Sequence, residues 1–201
     1  MMAVFPLFPT LVHSIEPRTF KQVRDEIIKE VYEEKRRDSK GRIVSNQGGG
    51  WQSEAFEFSE KKDSILRNFI GNEVTGYFMG QRIFDPDASL TFGNFWYNIN
   101  GKGGYNLLHT HPGVKLSGVL WIKTPKDCGN IWFDSPHMHH AFEELRSYNG
   151  DFKKRTGSYH DYEFYAKEGV MLIFPSYVYH RVAPNESRQE RISCSFNCNI
   201  Q

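Results

Sequence analysis

The sequence has 201 residues, with 25 lysines and arginines against 24 aspartates and glutamates, and 39% of its residues are hydrophobic. This length is enough for one domain with a substantial core, and no Gly-, Ser- or Pro-rich linker divides the chain, so we expect a single domain over residues 1–201. The net charge of +1 argues against a basic nucleic-acid-binding protein, and the aromatic content of 15% argues against disorder.

The three cysteines, Cys128, Cys194 and Cys198, do not form a CxxC pair. The N-terminus lacks the charged region and long apolar run of a secretion signal. No apolar stretch reaches the roughly twenty residues that are needed to span a bilayer. These features predict a cytoplasmic protein with reduced cysteines and without a membrane partner.

The first part of the chain, about residues 17–80, is predicted to be a helical support. Apolar residues at helical spacing predict an amphipathic helix over about residues 19–35. Thr19 and Gln22 are predicted to form a capping box at its start. A second helix is predicted over about residues 59–76.

Between the two predicted helices, residues 45–53 combine three glycines with Trp51 and polar side chains. This composition favours neither a helix nor a strand. Two interpretations remain open, a flexible surface loop and a lid that folds Trp51 over a pocket.

From about residue 89 to residue 199 the chain consists of short segments rich in β-branched and aromatic residues, separated by turn residues. Eight strands after two helices are typical of a β-barrel or sandwich with helices packed on one face. Residues 135–160 form a long insertion, with a short helix candidate at 141–146, and are a second candidate for a lid. The eight strands are predicted at residues 89–100, 105–111, 114–123, 129–134, 161–167, 169–174, 178–183 and 189–199.

The motif His109-Thr110-His111 lies on one of these predicted strands. Residues two apart on a strand face the same side, so both imidazoles can bind one metal ion. His180 follows a later apolar strand, and three histidines from two strands would occupy half of an octahedron and leave the other half open for substrates. The alternative is that the paired histidines are only packing or surface residues.

Six segments together carry a family resemblance. They are Trp96-Tyr97-Asn98, the run from Asn106 to Pro112, Leu116-Ser117-Gly118, the run from Gly169 to Ser176, and His180 followed by the run from Arg191 to Asn197. In these segments the chain resembles the 2-oxoglutarate and Fe(II)-dependent oxygenases of bacteria and marine phages, and more distantly the prolyl hydroxylases. The resemblance implies a mainly β protein whose core, at about residues 89–199, is a double-stranded β-helix, the jelly-roll barrel that cupins also have. It also implies Fe(II), 2-oxoglutarate, dioxygen and an unidentified protein, peptide or small-molecule substrate, which is hydroxylated with release of succinate and CO2.

Carried over onto this sequence, the resemblance implies that His109, His111 and His180 bind the iron. The wider superfamily has Asp or Glu at the position of His111, so this site has one negative charge less, which 2-oxoglutarate is left to supply. Asp134, at a predicted strand end, is the other candidate for the third ligand. We rank it below His111, because the HxH spacing already places His111 on the correct face.

The 2-oxoglutarate site is predicted at the last strand. The guanidinium of Arg191 can pair with the distal carboxylate through two hydrogen bonds, and Ser193 lies on the same face of the strand. The alternative for Arg191 is an exposed surface position. Asn98 and Asn106 are weaker candidates, for the near end of the cosubstrate.

The alternative function is that of a cupin-type metal dioxygenase or isomerase, which would not use 2-oxoglutarate. The two cupin motifs fit the spacings from Gly103 to His109 and from Gly169 through Pro175 to His180. The glutamate expected of a cupin is absent, however, and a cupin gives no reason for Arg191. A metal-free binding module ranks last, because it requires three histidines to converge by accident.

Overall fold

The computed structural model describes residue 4 and residues 6–137 and 147–201. Within these ranges, no helix is long and apolar enough to cross a membrane. The helices are α1 (Phe20–Arg37), α2 (Ile65–Gln81) and α3 (Gly150–Thr156). The strands are β1 (His13–Ile15), β2 (Asn46–Gln47), β3 (Trp51–Gln52), β4 (Phe56–Glu57), β5 (Leu90–Asn100), β6 (Tyr105–His109), β7 (Leu116–Lys123), β8 (Ile131–Asp134), β9 (Asp161–Phe164), β10 (Met171–Pro175), β11 (His180–Val182) and β12 (Arg191–Ile200).

The strands form two antiparallel sheets. The larger sheet has the order β1-β10-β7-β12-β5-β3, and β4 also pairs with β5. The smaller sheet has the order β2-β6-β11-β8-β9. Because neighbours in each sheet are distant in sequence, residues from the middle and the end of the chain meet in the same layer.

The strand β7 contributes side chains to two hydrophobic cores, one on each face of the larger sheet. Leu120 and Ile122 belong to a core formed with the helices, whereas Val119 and Trp121 belong to a core between the two sheets. Successive strand residues point to opposite faces, so one apolar run supplies both layers. The helices contribute to the first core the buried side chains of Phe20, Ile27, Val31, Leu66, Phe69, Ile70, Val74 and Phe78.

The first helix begins at Phe20 and runs to Arg37, close to its predicted bounds. The predicted capping box is wrong, because Thr19 has helical backbone angles and makes no side-chain cap. Its hydroxyl donates instead to Oε1 of Glu73 on α2, at 2.6 Å. A tertiary contact has therefore replaced the local one.

The second helix begins at Ile65, six residues after the predicted start at Ser59. Ser64 is its N-cap, and its hydroxyl oxygen accepts from the backbone N–H of Arg67 at 3.0 Å. Residues 59–63 lie in turns before that cap.

The glycine-rich segment 45–53 connects the edges of both sheets, since β2 pairs with β6 and β3 pairs with β5. Gly48 turns the chain between them with φ of 65°. A Cβ on Gly48 would lie 2.1 Å from the carbonyl oxygen of Gly103, so the turn requires glycine. Trp51 is buried in the core on the helix side and donates from Nε1 to the carbonyl oxygen of Asp38. The predicted lid role of Trp51 is therefore wrong, and the segment pairs with both sheets instead of forming an irregular surface loop.

Each of the eight predicted strands has a counterpart among β5–β12, with somewhat different ends. The clearest difference is at β6, which ends at His109, so that His111 follows the strand instead of lying on it. In the insertion at residues 135–160 the structure has α3, which was not predicted. The helix candidate at residues 141–146 lies outside the described residues, so this candidate lid is only partly described.

Candidate active site

His180 reaches the HxH motif because β11 pairs with β6. In this antiparallel pair His180 lies directly opposite His109, and the two ring centroids are 4.3 Å apart. Phe133 and Phe174 pack against the His180 ring, with centroids 5.9 and 4.7 Å away. These contacts bury His180 between the two sheets.

His111 lies two residues beyond the end of β6, where its backbone N–H donates to the carbonyl oxygen of Ser176 at 3.0 Å. Its ring centroid is 5.2 Å from that of His109 and 5.1 Å from that of His180. One ring nitrogen from each of the three histidines lies within 4.8 Å of the others. The structure thus brings all three predicted ligands together.

The Nδ1 atom of each of these rings already has a hydrogen-bond partner in the protein. The partner oxygens are those of Leu107 (2.7 Å, to His109), Val178 (3.0 Å, to His180) and the Asn197 side chain (2.9 Å, to His111). A carbonyl oxygen only accepts, so these contacts favour the tautomer in which Nδ1 carries the proton and Nε2 keeps its lone pair. Three imidazoles with free Nε2 atoms fit a divalent metal ion that is bound on one face.

Burial also keeps the three rings neutral. Desolvation lowers the pKa of His111 to about 4 and that of His180 to about 3. It lowers the pKa of His109 in the same direction. At neutral pH a metal ion therefore does not compete with protons for these nitrogens.

Asp134, the other candidate for the third ligand, has a partner elsewhere. Its Oδ1 accepts from Nη1 of Arg181 at 2.5 Å. Asp134 follows the buried Phe133 on β8, and neighbouring strand residues point to opposite faces. The histidine cluster is therefore completed by His111 and not by Asp134.

A cavity of about 330 Å³ lies between the two sheets, next to the three histidines. Asn106 lines it from the smaller sheet and donates from Nδ2 to the hydroxyl of Ser45 at 3.1 Å. The larger sheet contributes alternate residues of β5 and β12, which share one face of each strand. They are Asn94, Trp96 and Asn98 on β5, and Arg191, Ser193, Ser195 and Asn197 on β12.

Arg191 lies in the cavity wall with 1% of its surface exposed, so the alternative of an exposed surface position is wrong. Its Nη1 donates to the carbonyl oxygens of Cys128 and Ala183. Nε and Nη2 have no hydrogen-bond partner in the described part of the chain. Burial lowers the pKa of Arg191 to about 10, which leaves the guanidinium positively charged at neutral pH.

Two further buried polar atoms in this wall lack a partner among the described residues, Nε1 of Trp121 and Oδ1 of Asn98. The Trp121 ring centroid is 5.9 Å from the guanidinium carbon of Arg191. Asn98 uses its amide nitrogen to donate to the hydroxyl of Ser195 at 3.2 Å. Buried polar atoms are normally paired, so an unpaired group at a cavity wall indicates a ligand.

Sequence analysis missed the residues that surround His111, which are Ser117, Asn94 and Asn197. A signal for them was present in β12. Its polar residues recur at every second position from Arg191 to Asn197, in a strand that is otherwise apolar, and this period predicts one shared polar face.

A protein-family profile described as "Putative 2OG-Fe(II) oxygenase" matches residues 94–197, more than half of the 201-residue chain. The chain belongs to this family. The matched range of the oxygenase runs from the middle of β5 to β12 and contains every predicted site residue. No curated protein matches the sequence.

Solved oxygenase structures share the fold at low sequence identity. The viral collagen prolyl hydroxylase of Paramecium Bursaria Chlorella virus-1, in its 2-oxoglutarate complex, is 14% identical, with a TM-score of 0.58 over 93% of this chain and 94% of that one. A Trichoplax adhaerens prolyl hydroxylase, in complex with a hypoxia inducible factor peptide fragment, is 12% identical, with a TM-score of 0.61 over 94% and 83%. HygX from Streptomyces hygroscopicus, with nickel and 2-oxoglutarate bound, is 11% identical, with a TM-score of 0.55 over 94% and 83%. The prediction of a mainly β protein with a jelly-roll fold is confirmed.

This oxygenase uses Fe(II) and 2-oxoglutarate, together with dioxygen and a second substrate, as its sequence predicts. The structure offers a suitable group for each of the first two. Three neutral imidazoles suit Fe(II), and a guanidinium with two unpaired donor atoms suits a carboxylate.

Proposed function

We propose that His109, His111 and His180 bind the Fe(II) of this oxygenase, and that Arg191 binds the distal carboxylate of 2-oxoglutarate. The observation that carries the proposal is the unpaired side of the Arg191 guanidinium, which lies in the same cavity as the three imidazoles. The reaction that fits this arrangement is hydroxylation of a C–H group on the second substrate.

The argument for Arg191 is electrostatic. A buried charge is costly unless an opposite charge and hydrogen bonds compensate it. The described residues that line the cavity include no Asp, Glu or Lys, so the compensating anion has to be a ligand. A carboxylate can accept from Nε and Nη2 together, and Ser193 and Trp121 line the same cavity as further donors.

Asn98 and Asn106 remain our candidates for contacts with the near end of 2-oxoglutarate. Both line the cavity. Oδ1 of Asn98 is buried and has no partner among the described residues, whereas the amide nitrogen of Asn106 already binds Ser45. We therefore rank Asn98 above Asn106.

When iron is bound, it activates dioxygen, coupled to conversion of 2-oxoglutarate into succinate and CO2 and to transfer of one oxygen atom to the substrate. The residues of the protein hold the metal and shield it from water. The imidazoles bind the metal without adding negative charge, and the side chains of Phe133, Phe174 and Trp96 pack around their rings and exclude water.

We propose that the substrate group that enters the cavity is uncharged, because the described lining offers neither a carboxylate for a cation nor a second cation for an anion. Exposed aliphatic side chains lie beside the cavity. Ile43 and Val44 precede Ser45, whose carbonyl oxygen accepts from the backbone N–H of Leu107, and Val44 itself lines the cavity. Such a surface suits an apolar peptide segment. The Trichoplax adhaerens relative, which was solved with a peptide fragment, supports a peptide as the class of substrate.

We also propose that residues 1–201 act as one domain, in which the helices of residues 17–80 support the β core of residues 89–199. The shared apolar core of α1, α2 and the larger sheet supports this. The proposed location is the cytoplasm, and the three buried cysteines, all free thiols, are compatible with its reducing conditions.

Anaerobic titration with Fe(II) and then with 2-oxoglutarate tests the proposal. We expect the visible charge-transfer band of the iron–2-oxoglutarate chelate, and succinate when air is admitted. A protein that binds one metal ion but has no affinity for 2-oxoglutarate would instead support a cupin-type metal dioxygenase or isomerase.

A further inference from the structure

We infer that Asn197, held in place by Asn94 and Ser117, is the positioning residue that presents Nε2 of His111 to the metal. The inference rests on the proposed metal site and deepens it. It assigns a role to three polar side chains that need not touch iron, 2-oxoglutarate or substrate.

The four side chains form one connected network. Oδ1 of Asn197 is 2.9 Å from Nδ1 of His111, and Ser117 Oγ is 2.8 Å from that same nitrogen. The Ser117 hydroxyl donates to Asn197 Oδ1 at 2.8 Å. On the other side of the amide, Nδ2 of Asn197 donates to Oδ1 of Asn94 at 2.8 Å.

With the amide orientations of Asn94 and Asn197 in this structure, the donors and acceptors of the network match in one way. Because Nδ2 of Asn197 is committed to Asn94, its Oδ1 faces His111 and can only accept. The single hydroxyl hydrogen of Ser117 goes to the same Oδ1, so it cannot serve Nδ1 of His111. Nδ1 must therefore carry its own hydrogen, which leaves the lone pair on Nε2.

The orientation of His111 depends on a side-chain network, whereas that of His109 and His180 does not. The Nδ1 atoms of His109 and His180 bind the carbonyl oxygens of Leu107 and Val178, two residues away on the same chain segments. Such backbone oxygens cannot turn round. His111 lies beyond the end of β6, and its partner is a side-chain amide, whose two ends can exchange unless another residue fixes them.

Strand register explains how the network is assembled. Asn197 lies directly opposite Ser117 in the β12–β7 pair, and Asn94 comes from β5 on the other side of β12. Three adjacent strands of the larger sheet thus contribute the polar side chains that hold the imidazole of His111. Outer partners of this kind typically change metal affinity by about 10- to 100-fold when they are lost.

The experiment measures the tautomer of each histidine in the metal-free protein by long-range ¹H–¹⁵N NMR correlation, and the affinity for Mn(II) by calorimetry. In the wild type we expect all three cluster histidines as Nδ1–H tautomers. In Asn197→Leu we expect His111 alone to populate the Nε2–H form, with Mn(II) bound about 10- to 100-fold more weakly. Asn197→Asp keeps an acceptor in place and should restore the Nδ1–H form of His111.

Two further variants keep the test decisive. Asn68→Leu changes the same residue type at an exposed position of α2 outside the cavity lining, and should leave the tautomers and Mn(II) affinity as in the wild type. If Asn197→Leu does not fold, Asn94→Leu removes the acceptor that fixes the orientation of the Asn197 amide, and it should give the same shift at His111.

The inference is overturned if wild-type His111 is an Nε2–H tautomer, or if the folded Leu variant keeps the wild-type tautomer and affinity. Absence of Mn(II) binding in the wild type would instead contradict the proposed metal site, and the tautomers would still test the network.

Discussion

His180 lies directly opposite His109 in the antiparallel pair of β11 and β6, and their ring centroids are 4.3 Å apart. This register explains why a histidine far along the chain can join the HxH motif. It also places both residues on hydrogen-bonded strands of one sheet.

The first prediction concerns these two residues. His109→Ala and His180→Ala should each weaken Mn(II) binding by more than about a hundredfold, which exceeds the effect expected for loss of an outer partner. Equilibrium dialysis with metal analysis measures this. His160→Ala removes an exposed histidine outside the cluster and should bind Mn(II) as the wild type does. Full metal occupancy in either cluster variant would mean that the ligands are other residues.

Asp134→Ala should leave Mn(II) affinity nearly unchanged, because the Asp134 carboxylate pairs with Arg181 and not with the histidine cluster. A partly exposed ion pair of this kind contributes about 0 to 1 kcal/mol to stability, so the variant should also fold. Metal analysis after dialysis again gives the answer. Loss of metal in this variant would show that Asp134 is a ligand, and would contradict our choice of His111 over Asp134 as the third ligand.

The convergence of the histidines could be predicted because it depends on local rules. The HxH spacing predicted that His109 and His111 lie close together, although His111 lies two residues beyond the end of β6. The apolar run before His180 marked a second strand. The buried arginine of β12 was predictable through the family resemblance and through its spacing from Ser193. Pattern and resemblance thus led to the histidine cluster and to the buried arginine of the cavity wall.

Features that depend on contacts between distant segments could not be predicted. The network around His111 requires the knowledge that Asn197 lies opposite Ser117, which is a matter of register between two strands. The three glycines before Trp51 predict either a surface loop or a lid, whereas the backbone of Trp51 pairs with Ile99 and its ring is buried in the core. The start of α2 depends on Glu30 of α1, which no local pattern in α2 reveals.

The third prediction concerns the coupling between binding of the metal and binding of 2-oxoglutarate. Three neutral imidazoles give the metal no negative charge, so 2-oxoglutarate should raise Mn(II) affinity by roughly 5- to 150-fold, the usual range of coupling between sites. In His111→Asp, Mn(II) should bind more tightly alone, and the enhancement should shrink because the carboxylate already supplies a charge. Calorimetry with and without 2-oxoglutarate gives both values, and the metal must raise 2-oxoglutarate affinity by the same factor. Equal enhancement in both proteins would contradict the charge argument.

A stability prediction follows from Glu30. Its carboxylate accepts from the hydroxyls of Ser64 and Tyr97 and from the backbone N–H groups of Ile65 and Leu66, so it connects α1, the start of α2 and β5. Burial and the nearby carboxylate raise the pKa of Tyr97, which keeps its hydroxyl a donor. Tyr97→Phe should lower the free energy of unfolding by about 1.5 to 3 kcal/mol, the range for hydrogen bonds to charged groups.

Urea denaturation measures this loss, and the slope of the free energy of unfolding against urea concentration should be the same in the variant and the wild type. Tyr165→Phe is the matched control, since Tyr165 is 75% exposed, and its effect should be close to zero. If Tyr97→Phe is as stable as that control, the connection through Glu30 does not contribute to folding.

The last prediction separates an oxygenase anchor from a structural arginine. Arg191→Ala should weaken 2-oxoglutarate binding and leave the metal in place, because Nε and Nη2 of this guanidinium are charged donors without a partner among the described residues. Removal of one member of a buried charge pair costs about 2 to 5 kcal/mol, or roughly thirty- to several-thousand-fold in affinity. Arg191→Lys should recover only part of this, because an ammonium keeps the charge but loses the two-pronged geometry. The measurement is titration of 2-oxoglutarate into proteins loaded with Zn(II) at identical salt.

Arg191 also donates from Nη1 to the carbonyl oxygens of Cys128 and Ala183, so the Ala variant leaves two buried acceptors unpaired and should be less stable. Circular dichroism and retained Zn(II) binding show whether it is folded under the assay conditions. Arg181→Ala is the matched control, since that guanidinium pairs with Asp134 outside the cavity, and it should bind 2-oxoglutarate as the wild type does. Equal affinity in the wild type and in folded Arg191→Ala would move the anchor away from Arg191. A selective loss in Arg181→Ala would place the anchor at Arg181.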